Sequence, residues 1–183
     1  MYDLGDGITL KGGVGSAFRA PTLFEASPNF KSVSCGGRCF IYGNPDLKEE
    51  TSVSSELSLL VNRKSWNSSI TLYNNKVDEL IEVGRYKGTH PYAGNSGYFN
   101  LDEATLRGVE ASFWVSLNDM VSIDTNYTYL EAEGPDNKAL AYRPKHKANV
   151  RVNMDITDSL SAYVGANYYG DYIHYKRRDA TPY

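Results

Sequence analysis

In Leu106-Arg107-Gly108-Val109-Glu110-Ala111-Ser112-Phe113-Trp114-Val115-Ser116-Leu117, apolar Val109, Ala111, Phe113, Val115 and Leu117 alternate with Glu110, Ser112, Trp114 and Ser116. A period of two sends the two sets to opposite faces of a β-sheet. His146 to Ile156 repeats the pattern: Ala148, Val150, Val152, Met154 and Ile156 alternate with Lys147, Asn149, Arg151, Asn153 and Asp155. One face is plainly apolar, while the other carries charges of both signs at mid-strand. In a soluble sandwich the apolar face meets a core and the polar face meets water. In a membrane barrel the apolar face meets lipid and the polar face lines the lumen. Alternation by itself fits both.

Strand length and loop lengths separate them. Upstream, Ile8, Leu10, Gly12, Val14, Ser16 and Phe18 share one face, with Lys11 and Arg19 on the other. Val53, Ser55, Leu57, Leu59 and Val61 alternate with Ser54, Glu56 and Ser58, and a strand with Ile70 and Leu72 on its apolar side runs from Trp66 towards Val83. Gly97 to Leu117 reads as one strand with a bulge or bend expected near Asp102-Glu103. Downstream come Val121, Ile123, Thr125, Tyr127 and Tyr129, and after the second signature strand Leu160, Ala162, Val164, Ala166 and Tyr168. The turns after Val61, Leu117 and Ile156 are short, whereas the connections after Phe18, Val83 and Glu131 are long. Short turns at one end and long loops at the other are the layout of an outer-membrane barrel. The expected fold is all-β: an antiparallel up-and-down meander of about seven long strands. Bacterial single-chain barrels are closed and even-numbered, so this meander reads as a partial segment of a transmembrane β-barrel.

Composition fits that reading. The chain has 183 residues and a formal net charge of -3, which excludes the basic footprint of a nucleic-acid binder. Mean hydropathy is -0.46. No apolar run reaches the roughly 20 residues of a membrane helix, a length that barrel strands do not need. The 15 tyrosines suit an aromatic girdle at a membrane interface, and equally a carbohydrate or aromatic-ligand surface. Met1-Tyr2-Asp3-Leu4 lacks the features of a signal peptide, so the chain reads as a piece of a longer exported one.

Cys35 and Cys39 form the pattern Cys-Gly-Gly-Arg-Cys, which suits a disulfide, half a metal site or a redox motif. The redox reading wants two intervening residues beside a strand-helix unit, and the metal reading wants further ligands, while His90, His146 and His174 stand apart in sequence. A small disulfide-closed loop in an oxidising compartment is the remaining expectation, with no metal bound. No glycine-flanked serine nucleophile, phosphate loop or zinc-protease motif occurs. Glu49 and Glu50 are neighbours, which in a strand point opposite ways and make a poor acid/base pair. The chain therefore does not read as an enzyme.

Four segments carry a family resemblance. Phe18-Arg19-Ala20-Pro21-Thr22-Leu23-Phe24-Glu25, then Gly43-Asn44-Pro45-Asp46-Leu47-Lys48-Glu49-Glu50-Thr51-Ser52, resemble segments of the C-terminal barrel half of TonB-dependent outer-membrane receptors. Asn100 with Gly108-Val109-Glu110, and Arg143-Pro144-Lys145-His146-Lys147, are similar to two further signatures of that family. The cysteine pair in the first long connection resembles the catecholate-siderophore and colicin-receptor branch. The resemblance covers residues 1–183 as a partial barrel domain, without the family's plug domain, TonB-binding segment, or first and last barrel strands. It implies that the parent protein takes up an iron-siderophore complex across the outer membrane. Iron is then cargo rather than cofactor, TonB engages the parent's N-terminal region, and colicins or phage are further partners. Locally, Asn44-Pro45-Asp46 suits a turn, and Gly108 suits a point where a side chain must be absent at a bend.

An anionic, aromatic ferric siderophore calls for cationic groups and flat rings. The long connections supply Arg38, Phe40 and Tyr42; Arg85, Tyr86 and Tyr92; Arg143; and Tyr172, Tyr175, Lys176, Arg177 and Arg178. Contact with lipopolysaccharide phosphates would use the same basic groups. The charged strand face (Lys11, Glu56, Glu110, Asp124, Lys147, Arg151) is expected to face a plug. Three classes stand side by side: a siderophore receptor, a non-transporting outer-membrane pore, adhesin or bacteriocin receptor, and a soluble β-sandwich binding protein.

Overall fold

Alternation along each strand becomes, across the sheet, a set of matched rows. The computed structural model describes residues 1–34, 37–86 and 93–171. The strands are β1 (Tyr2–Gly5), β2 (Ile8–Arg19), β3 (Lys31–Ser34), β4 (Cys39–Tyr42), β5 (Glu50–Asn62), β6 (Trp66–Arg85), β7 (Ser96–Asn118), β8 (Val121–Glu133), β9 (His146–Thr157) and β10 (Leu160–Gly170). A single helical turn, α1 (Leu23–Ala26), follows β2, and a 3-10 turn at Pro135–Asn137 follows β8. The hydrogen-bonded order β1-β2-β5-β6-β7-β8-β9-β10 is an antiparallel meander, and the β3–β4 hairpin joins it through β4 and β7. The long strands read from the sequence are β2 and β5 to β10. The three short ones hold four residues each, too few for a period to show.

One row runs Leu10, Leu59, Ile70, Ala111, Tyr127, Ala148, Tyr168, each beside the next on neighbouring strands. The adjacent row runs Lys11, Ser58, Thr71, Glu110, Thr128, Lys147, Tyr169. The first is apolar or aromatic throughout and the second polar, so register keeps the two faces chemically distinct. On the apolar face Leu10 is 37%, Ile70 49% and Tyr168 61% exposed, so no second layer covers it among the described residues. A soluble sandwich would bury that face. A wall facing lipid exposes it. Twelve residues of β2, rising about 3.3 Å each at about 45°, span about 28 Å, close to the hydrocarbon thickness of a bilayer.

The short turns all lie at one end: 6–7, 63–65, 119–120 and 158–159. The long connections 20–49, 86–95 and 134–145 lie at the other. The irregularity expected near Asp102-Glu103 appears as a lost pair: Asp78 faces Glu103 and Leu80 faces Leu101, with Glu79 between them at φ 54°. Register is unchanged across it, so the departure falls on the facing strand. At Gly108 both ladders continue without a shift. Glycine is needed there for space, because a Cβ would lie 2.0 Å from the Tyr129 carbonyl oxygen and 2.7 Å from the Tyr73 hydroxyl.

One apolar cluster lies towards the long-loop end. Val77, Ala104 and Ala132 are buried, and Leu140 from the 134–145 connection is 3% exposed against them. Ala104 shares the parity of Glu110 and Ser112, so this connection lies against the polar, inward face.

Candidate functional site

The candidate residues lie at the long-loop end, where the chain is held by a clamp. Arg19, last residue of β2, donates from Nε to Glu50 at 2.6 Å, from Nη2 to the other Glu50 oxygen at 2.9 Å, and from Nη1 to Glu25 at 3.0 Å. Glu50, first residue of β5, also accepts the Ile81 amide at 2.6 Å. Thr22 caps α1 by accepting from the Glu25 amide at 3.3 Å, and Glu25 accepts from the Thr22 amide at 2.8 Å, a reciprocal capping box. Burial would raise the Glu25 carboxyl, but the Thr22 amide and the Arg19 guanidinium outweigh it and hold it below the usual carboxylate range.

The segment returning to β5 is pinned in the same way. Asn44 donates from Nδ2 to the Tyr98 carbonyl at 2.9 Å, and its Oδ1 accepts the Asp46 amide at 3.0 Å. Asn100 accepts the Lys48 amide at 2.9 Å and donates to the Glu79 carbonyl at 2.7 Å. Lys48 Nζ sits 2.5 Å from Glu79. Both motif segments thus serve as anchors that fix how the first long connection leaves and rejoins the sheet.

Held by these anchors, the β3–β4 hairpin reaches across to the start of β7. Ile41 and Tyr42 pair in parallel with Ser96 and Gly97, and the Phe40 amide donates to Asn95 Oδ1 at 3.1 Å. The Phe40 and Tyr42 rings lie 6.2 Å apart, with Lys31 Nζ 4.6 Å from the centre of the Phe40 ring. Tyr86, just beyond β6, meets Phe99 edge-on at 5.0 Å. Its ring lies over Gly97, where a Cβ would come within 2.4 Å of the phenol oxygen. The structure therefore gathers Phe40, Tyr42 and Tyr86 around the 95–99 segment. Arg38, beside the hairpin, and Arg85, at the end of β6, are exposed.

Arg143 behaves differently. Its guanidinium is ion-paired with Glu82, so its charge is already matched within the wall. Tyr92, Tyr175, Arg177 and Cys35 lie outside the described residues, and Cys39 is disulfide-bonded. Sequence reasoning missed Lys31, Asn95 and Phe99. Neither Lys31 nor Asn95 gave a local signal, since a four-residue strand shows no period and Asn95 lies in a connection. It also missed Leu140, although Ala139-Leu140-Ala141 is an apolar island in a polar connection. Among the described residues no cluster of His, Cys, Asp or Glu could hold a metal ion. The gathered groups offer flat rings and cationic ends, a chemistry of non-covalent binding to an anionic, aromatic species.

Residues 1–182 match the family model described as TonB dependent receptor-like, beta-barrel. The chain is 36% identical over 174 residues to the iron-regulated outer membrane virulence protein of Vibrio cholerae, a match covering 88% of this chain and 26% of that protein. It is 31% identical over 180 residues to the ferrienterobactin receptor of Escherichia coli, covering 91% of this chain and 24% of that protein. A ferric enterobactin receptor variant from Pseudomonas aeruginosa, solved in complex with enterobactin, has a TM-score of 0.70 at 27% identity, covering 91% of this chain and 26% of that one. The chain thus spans about a quarter of the length of the curated relatives it matches.

Proposed function

Because the chain belongs to the TonB-dependent receptor β-barrel family of the outer membrane, we propose that it forms wall and outer loops of a receptor for a ferric siderophore of the catecholate kind. In this reading the outer loops capture the iron complex and the inward polar row, from Lys11 to Lys147, faces a plug domain carried elsewhere in the parent. TonB acts on the parent's N-terminal region, lipopolysaccharide surrounds the outer rim, and colicins or phage use the same exposed loops. Plug, TonB segment and the remaining strands belong to the longer parent chain.

The observation that carries the catecholate reading is the gathering of Lys31, Phe40, Tyr42, Tyr86 and Phe99 at the outer end, with exposed Arg38 and Arg85 beside them. Rings hold the aryl groups of the ligand, and cations attract its net negative charge. The attraction is partly long-range, so it weakens as salt shortens the Debye length from about 10 Å at 0.1 M. The test is equilibrium binding of ferric enterobactin to full-length receptor at two ionic strengths. The double variant Arg38→Ala, Arg85→Ala is expected to bind more weakly and with a flatter salt dependence. Unchanged affinity and slope would remove both arginines from the site.

A further inference from the structure

We infer, resting on the siderophore reading above, that Asn95 is a positioning residue for ligand capture. Its side-chain carbonyl latches the β3–β4 hairpin to the wall, so that the hairpin rings of Phe40 and Tyr42 are held in place before the iron complex arrives.

Asn95 is the last residue of the 86–95 connection, directly ahead of β7. It is bonded to two of the gathered residues at once. Its Oδ1 accepts the Phe40 amide at 3.1 Å, across 55 residues of sequence. Its main-chain carbonyl accepts the Tyr86 amide at 3.0 Å, and the Tyr86 carbonyl accepts the Gly94 amide at 3.3 Å. One residue thus ties the backbone of Phe40, from the first long connection, to that of Tyr86, from the second.

The place of this bond along the hairpin gives it leverage. Asn44 Nδ2 donates to the Tyr98 carbonyl at 2.9 Å, and Tyr42 and Ile41 pair in parallel with Gly97 and Ser96. The Asn95 bond carries that pairing one residue further, to Phe40, beside the disulfide-bonded Cys39 where the hairpin turns. With its main-chain carbonyl directed at Tyr86, residue 95 needs a side-chain oxygen to accept from Phe40, which aspartate keeps and alanine lacks. Asn95 and Phe40 are both half-buried, so water competes only in part for the bond.

A docked hairpin presents rings that are already ordered, and ordering completed in advance raises affinity without adding a contact. An undocked fraction lowers the apparent affinity in proportion. Asn95 therefore acts on the ligand through the hairpin rather than by touching it.

The test uses full-length receptor and reads hydrogen exchange across residues 40–42 together with ferric enterobactin affinity. Asn95→Ala keeps the main-chain bond to Tyr86 and removes the bond to Phe40. It is expected to raise exchange across 40–42 and to lower affinity about two- to twelve-fold, the contribution of one hydrogen bond. Asn95→Asp keeps an acceptor and should exchange as wild type does. In a background of Phe40→Ala with Tyr42→Ala, which strips the hairpin of both rings, Asn95→Ala should lower affinity by a smaller factor than it does alone. Unaltered exchange or unaltered affinity in Asn95→Ala overturns the inference. So does exchange raised equally in Asn95→Asp, or an equal affinity loss in the ringless background, and each of these leaves the siderophore reading standing. A wild-type receptor that does not bind ferric enterobactin overturns that reading and the positioning role with it.

Discussion

Replacing Leu140 with alanine should open the 134–145 connection without unfolding the barrel. Leu140 is 3% exposed and packs on Val77, Ala104 and Ala132. Truncation removes about three carbons at about 0.8 kcal/mol each, and fully enclosed sites lose up to about 5 kcal/mol when a cavity remains. A connection at the mouth collapses more readily than a closed core, which sets the loss at about 2–3 kcal/mol. That raises the open population about 30- to 150-fold. The assay is hydrogen exchange by mass spectrometry on detergent-solubilised receptor, following the peptide that holds the Leu140 amide, which donates to Ala132 at 2.9 Å. Arg143→Ala is the control: its ion pair with Glu82 is partly exposed, 27% and 33% at the two side chains, so its loss should change exchange by no more than about five-fold. Exchange in Leu140→Ala indistinguishable from wild type would mean that the apolar seat does not hold the connection.

Val152 sits between Ile123 and Val164 on the apolar face, so Val152→Arg should destabilise the barrel by about 2–4 kcal/mol if it lies near the bilayer midplane. Spin labels at 151 and 152 should differ in lipid exposure, and equal water exposure would contradict a membrane wall. The Glu25 carboxyl is held below its ordinary value, so its contribution is fully present above the unfolded carboxylate range and is lost as pH falls through the depressed folded value. Protection of the Glu25 amide, taken against its intrinsic exchange rate at each pH, should accordingly fall only in that acid range in wild type, and a Glu25→Gln variant should lack this dependence. Cys35 and Cys39 are expected to be bonded to each other, and intact-mass measurement without reductant should find the pair short of two hydrogens; two alkylatable thiols would contradict it.

The long strands were legible because a period of two repeats over about a dozen residues or more and the lipid-facing side is predominantly apolar. β1, β3 and β4 were not, since four residues carry almost no periodic signal. The site was half legible. Residue type nominated Phe40, Tyr42 and Tyr86, and the structure gathers them. Arg143 was nominated by charge alone, and its pairing with Glu82, 61 residues away, follows from how a connection folds back over the wall. The Arg19–Glu50 clamp spans 31 residues and depends on the register of β2 against β5.

The strands differ greatly in length, and this shapes the outer edge of the sheet. β6 and β7 run for 20 and 23 residues, against 12 in β9 and 11 in β10. Since the short turns share one level, the surplus of β6 over β9 stands about 20 Å beyond it on the outer side, at about 3.4 Å per residue and about 45° tilt. The rim is therefore a slope with a tall back. The β3–β4 hairpin leans on that back, and the 134–145 connection packs against its inner face through Leu140. Approach to the inner face along these strands is therefore lower at β9 and β10 than at the raised ribbon of β6 and β7.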